Sequence, residues 1–128
     1  MRDHVGKSDE YLLAEVNRVR FRIGNEDYGF RQEGSFLSKE AANDFVNRTL
    51  ENNKQLVDQV ARGQAETAGL NERFGYVTGK EGFKESGESL AYVRPTYDVR
   101  VVIRQDTSSP RGYGVLTAFP RNRLSGKQ

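Results

Sequence analysis

The apolar residues of this 128-residue chain change period once, near Arg73, and that change is the strongest constraint on its fold. Before it, apolar positions recur three and four apart, as on one face of a helix. After it, short runs rich in β-branched and aromatic residues are separated by turn formers. Helices first and strands second predict an α+β domain whose strands form an antiparallel sheet.

The helical half resolves into three segments. Ser8 is placed to cap a helix over about 9–19, with Asp9 and Glu10 in its first turn and Leu12, Leu13, Val16 and Val19 on its apolar face. The stretch "FRIGNEDYGFRQEG" (21–34) has neither period and reads as a loop with room for one short strand. Ser38 caps a second helix carrying Ala42, Phe45, Val46 and Leu50. A third, with Leu56, Val57, Val60 and Ala61, begins after Asn52 and Asn53 and stops at Gly63. "QAETAGLNE" then reads as a polar connection.

The strand half offers "RFGYVTG", "SLAYVRP", "TYDVRVVIRQD" and "GYGVLTAFP". In the third run Tyr97, Val99, Val101 and Ile103 alternate with Asp98, Arg100, Val102 and Arg104, which predicts one core face and one wet, mostly basic face. "DTSSPRG" is dense in turn formers and joins the last two runs as a hairpin. No repeat or long linker divides the chain, so residues 1–128 are read as one domain.

Composition removes several chemistries. With no cysteine there is no disulfide or thiolate, and one histidine cannot build a histidine metal cluster; no metal and no cofactor are expected. No P-loop, HExxH, EF-hand or GxSxG pattern occurs, and no apolar run approaches the roughly 20 residues that span a bilayer. The net charge is only +2, but Arg94, Arg100, Arg104, Arg111, Arg121, Arg123 and Lys127 face only Asp98 and Asp106 across residues 89–128. Such an excess attracts phosphates.

The lone imidazole, His4, suits metal-free RNA cleavage. A base near neutral pKa takes the 2′-hydroxyl proton, cations stabilise the charged phosphorane, and RNA supplies its own nucleophile. A second proton donor must then be a lysine, a tyrosine or a hydroxyl relay, which brings in Lys7, Tyr113 and Thr117. Arg100, Arg104, Arg121 and Arg123 form a face that could follow an RNA backbone.

"HVGKSDEYLL" (4–13), "SFLSKEAANDFV" (35–46) with "LENNKQLVDQV" (50–60), and "VRVVIRQD" with "GYGVLTAFP" (99–120) resemble, in that order, the bacterial RNase A-like toxin domain. That family occurs at the C-termini of contact-dependent growth inhibition proteins and other polymorphic toxins. The resemblance implies a pancreatic-ribonuclease-like fold without disulfides and an endoribonuclease, often acting on tRNA. It further implies the effector piece of a longer protein, a monomer delivered to the cytoplasm of a target bacterium and held by a cognate immunity protein, expected to be acidic. His4, Lys7 and Thr117 match the family's histidine, lysine and threonine. Two positions depart: Glu15 stands where the family pattern has arginine, and Phe119 where it has tyrosine. Arg18, one turn beyond Glu15, is the candidate replacement cation. Two other readings follow from the same residues: an RNA-binding module without turnover, and a domain whose basic strands bind an acidic protein.

Overall fold

The structure, a computed structural model, describes residues 4–18, 22–23, 26–27, 31–85 and 90–122, with Arg18, Arg31 and residues 22–23 and 26–27 described by backbone alone. Among these the elements run α1 (Asp9–Arg18), β1 (Arg22–Ile23), β2 (Glu26–Asp27), β3 (Arg31–Ser35), α2 (Lys39–Asn52), α3 (Lys54–Ala61), β4 (Thr67–Arg73), β5 (Gly79–Lys84), β6 (Tyr92–Thr96), β7 (Asp98–Gln105) and β8 (Tyr113–Arg121). The strands form two antiparallel three-stranded sheets, β3-β5-β6 and β4-β7-β8, and a β1-β2 pair. The architecture is α+β, as the change of period predicts.

The helices start where their caps place them. Ser8 Oγ accepts from the Tyr11 N–H at 3.0 Å and Ser38 Oγ from the Ala41 N–H at 3.1 Å. Asn53 separates α2 from α3, its side chain donating to the Thr49 carbonyl at 2.8 Å. α1 lies on β3 and β5, burying Leu12 and Val16. α2 and α3 cover β4 and β7, closing the main core around Phe36, Phe45, Val60, Leu70, Val101 and Ile103.

Three sequence expectations need correction. The stretch 21–34 is not a loop: it contains β1, β2 and most of β3. The polar connection after Gly63 contains all of β4 but its last residue, Arg73, and the strand pairs along its whole length with β7 and buries Leu70. The run "RFGYVTG" is mostly the link from β4 to β5, and the strand lies later, at "GKEGFK". The cause is common to all three. β3 and β5 bury Glu33, Ser35, Glu81 and Lys84, and β4 buries one apolar residue, so no hydrophobic alternation marks them.

The end of β8 ties the two sheets together. Asn122 donates its backbone N–H to Glu81 Oε1 at 3.1 Å and its side-chain amide to the Pro95 carbonyl at 2.8 Å, while its Oδ1 accepts from the Tyr97 N–H at 3.1 Å. Gln32 Nε2 donates to both Glu81 Oε1 and the Asn122 carbonyl at 3.0 Å. Glu81 is fully buried, and Arg94 meets its other oxygen at 2.8 Å while its guanidinium lies 4.0 Å over the Phe83 ring.

Burial pushes the Glu81 carboxyl above the ordinary carboxylate range, and the hydrogen bonds and charge of Arg94, Asn122 and Gln32 offset this only in part. The folded state therefore keeps this proton to higher pH than the unfolded chain does. Its contribution is fully present below the unfolded carboxylate pKa and is lost as pH rises through the folded value. Urea midpoints measured across that window should fall with pH from this group, and Glu81→Gln should flatten the slope whatever it does to absolute stability.

Candidate active site

His4 reaches the interior through a two-residue ladder rather than a helix. Its carbonyl accepts from the Phe36 N–H at 2.6 Å, the Gly6 N–H donates to the Phe36 carbonyl at 2.8 Å, and Val5 bridges Phe36 in parallel. Gly6, at φ +66, then turns the chain towards α1, a backbone angle that favours glycine. The segment before α1 is thereby fastened to the residue that follows β3.

The imidazole is 6% exposed and held on three sides. Nδ1 lies 3.1 Å from the Gly34 carbonyl and 3.5 Å from Glu33 Oε2, and the ring packs 5.2 Å from that of Phe119. A carbonyl can only accept, so Nδ1 carries hydrogen and donates, which makes Nε2 the lone-pair nitrogen of the neutral ring. An imidazole with a fixed tautomer, backed by a buried carboxylate, suits general base chemistry.

Phe119 sits on β8, and register assigns its face. Phe119 opposes Arg100, Thr117 opposes Val102, Gly114 opposes Arg104 and Arg121 opposes Asp98. Directly opposed residues of an antiparallel pair share a face. Thr117, Phe119, Arg100, Arg104 and Arg121 therefore lie on one side of the sheet, the basic side that alternation in β7 anticipates. Not all of that side is wet: Asp98 is 4% exposed, with Arg73 3.6 Å away. Arg100 donates to Asn71 Oδ1 at 3.1 Å, and its guanidinium covers Gly69 on β4, where a Cβ would come within 2.4 Å of it.

A bulge gives β8 two functions. The register with β7 shifts between Val102 and Ile103, leaving Leu116 unmatched and 42% exposed. Val115 and Ala118 consequently both face α2, although three residues apart, while Thr117 and Phe119 face the arginines. Between α2 and β8 opens a cavity of about 440 Å³, with His4 in its wall. Ala42, Val46 and Leu50 of α2 and Val115 and Ala118 of β8 give it apolar sides. Lys39, Asn43 and Asn47 form a parallel polar stripe four residues apart on the same helix, and Arg111 enters from the β7–β8 loop.

The other sequence candidates are distributed unevenly. Lys7 donates its backbone N–H to Ser35 Oγ at 2.9 Å and holds its ammonium 5.0 Å over the Tyr11 ring, on the α1 side. Tyr113 belongs to the core and opposes Gln105, on the face opposite Thr117, so the two are not brought together. The Arg18 side chain and Arg123 lie outside the described residues. Glu33, Gly34, Lys39, Asn43, Asn47 and Arg111 carry no sequence signal for a site, because they meet His4 or its cavity only through the packing of β3, α2 and β8. Arg111 registers only as part of the late basic excess. Among the described residues no three metal-ligating side chains converge, and no helix is long and apolar enough to cross a membrane.

A family model described as the bacterial CdiA-CT RNAse A domain matches residues 1–120. The chain belongs to this family. Its membership makes it a ribonuclease-type toxin domain of contact-dependent inhibition. A crystal structure of a CdiA-CT/CdiI complex from Y. kristensenii 33638 superposes with a TM-score of 0.70 at 24% identity, covering 92% of this chain and 94% of that one, and so shares its fold. No curated protein matches the sequence. The matched family and the shared fold agree with the resemblance carried by the His4, Ser35–Val46 and Val99–Pro120 blocks.

Proposed function

We propose that this CdiA-CT RNase A domain is a metal-independent endoribonuclease that cuts RNA, tRNA foremost, by transphosphorylation. The observation that carries the reading is the meeting of His4 with Phe119: two blocks over a hundred positions apart in sequence place an oriented imidazole beside the strand face that bears Thr117. His4 Nε2 takes the 2′-hydroxyl proton, O2′ bonds to phosphorus, and the P–O5′ bond breaks. The products are a 2′,3′-cyclic phosphate and a 5′-hydroxyl, and the leaving oxygen receives its proton from the imidazolium or from Lys7. Thr117 binds a phosphate oxygen, and Arg100, Arg104 and Arg121 hold the flanking backbone.

The domain acts as one effector unit of a longer toxin, delivered to the cytoplasm of a target cell as a monomer. A cognate immunity protein holds it in check, as the CdiI partner of the Y. kristensenii toxin domain suggests. Phe119 supports a second reading: a phenyl ring packs on His4 where the family pattern has a phenol, so the site lacks one proton donor, which favours binding without turnover. Incubating the pure domain with total tRNA in EDTA decides between them. Fragments ending in 2′,3′-cyclic phosphate are expected; intact RNA at high enzyme concentration would overturn the nuclease and leave the binding module.

A further inference from the structure

We propose that the cavity between α2 and β8 is a subsite that receives one unpaired nucleoside of the RNA beside the bond being cut. This deepens the nuclease reading and rests on it only for the word cut. At about 440 Å³ the cavity has the size of a small-molecule pocket rather than a packing defect. Its facing sides are apolar, Val46 and Leu50 against Val115 and Ala118, which suits the faces of a flat aromatic base.

The polar groups match the rest of a nucleotide. Asn43 and Asn47 are exposed, lie one turn apart on α2 and carry both a donor and an acceptor, the combination that a base edge presents. Lys39 and Arg111 line the same space, with no carboxylate among the lining residues, so the cavity favours an anion. A lipid chain would leave the asparagines and cations unmatched, and a bare phosphate would leave the apolar sides unfilled. A nucleotide uses both sets.

Arg111 is held in place before any ligand arrives. Its guanidinium lies 4.6 Å over the Tyr113 ring. Its loop is closed by hydrogen bonds from the Asp106 N–H to Gly112 and from the Gly112 N–H to Ser109, both 3.0 Å. Gly112 adopts φ +83 against Ala61 of α3, where a Cβ would lie 3.0 Å from the Ala61 carbonyl. Tyr113, named in the sequence as a proton donor, here becomes the platform for this cation. His4 completes the wall and sets the direction: a base lodged along α2 has its ribose nearest the imidazole.

The test uses the intact domain with methyl-labelled valine and leucine, titrated with each of the four nucleoside 3′-monophosphates and with inorganic phosphate. Base-dependent shifts at Val46, Leu50 and Val115 are expected, with phosphate alone leaving these methyls unmoved. Asn43→Leu and Asn47→Leu, at exposed helix positions, should change the preference among bases by roughly tenfold, in nucleotide affinity and in the base next to the cut. Arg111→Ala should weaken all four nucleotides alike. If RNA is cut but the variants keep the wild-type base preference and no nucleotide moves the methyls, the subsite is overturned and the nuclease stands. If nucleotides occupy the cavity but RNA stays intact, the subsite stands and the nuclease falls. Uptake of a poly-glutamate peptide without any nucleotide would also overturn the proposal, in favour of a protein-binding groove.

Discussion

Replacing His4 with alanine is expected to lower RNA cleavage by about 10²–10⁴-fold, the range for loss of a positioned general base. No other side chain in this sequence has an unperturbed pKa near neutrality, since His4 is its one histidine, so nothing nearby takes over the proton. The same substitution removes the Nδ1–Gly34 hydrogen bond and the contact with Phe119, at a cost of about 1–3 kcal/mol in stability. A thermal melt run beside the cleavage assay separates the two effects. A folded variant that has lost cleavage and regains part of it with added imidazole would assign the loss to chemistry. Glu33→Gln should cost less, because its carboxylate stands 3.5 Å from Nδ1 and shares that nitrogen with the Gly34 carbonyl. Full cleavage by His4→Ala would end the proposed mechanism.

Gly34→Ala is expected to damage the fold and the site together. A Cβ at residue 34 would lie 1.9 Å from the Pro120 carbonyl oxygen and 3.1 Å from its carbon, where main chain meets main chain and no rotamer relieves the clash. β3 and the end of β8 would have to separate, loosening Asn122 from Glu81 and shifting the carbonyl that orients His4. A loss of about 3 kcal/mol or more is expected, at or beyond the upper end for overpacking. Gly75→Ala, where nothing lies within 4 Å of the added carbon, should leave the urea midpoint nearly unchanged. A Gly34→Ala protein with a wild-type midpoint would refute the close approach of β8 to β3.

The helices and the β7–β8 hairpin were legible because their burial is hydrophobic and periodic. β7 alternates Val99, Val101 and Ile103 with Arg100 and Arg104, and that alternation alone assigns the basic face. β3 and β5 were not legible, because beside one large apolar residue, Phe83, and glycines they bury Glu33, Ser35, Glu81 and Lys84, side chains that sequence statistics place in solvent. At the site, His4 stands out as the lone imidazole of the sequence and Thr117 as one of several possible proton relays, and the resemblance to a family narrows both to specific roles. Phe119 departs from the family pattern, but its contact with His4 depends on a chain crossing that no local pattern encodes. The bulge at Leu116 likewise has no local signal, and it decides which neighbours of Thr117 face the arginines and which face the cavity.

The stitching of the two sheets through Asn122, Gln32, Arg94 and Glu81 has a consequence for how such a domain can be handled. Secreted ribonuclease scaffolds closed by disulfides depend on an oxidising compartment to regain their closure. Here the junction between the sheets consists of hydrogen bonds and one ion pair in a chain without cysteine. Opening this junction breaks no covalent bond, so closing it again needs neither an oxidant nor an oxidoreductase.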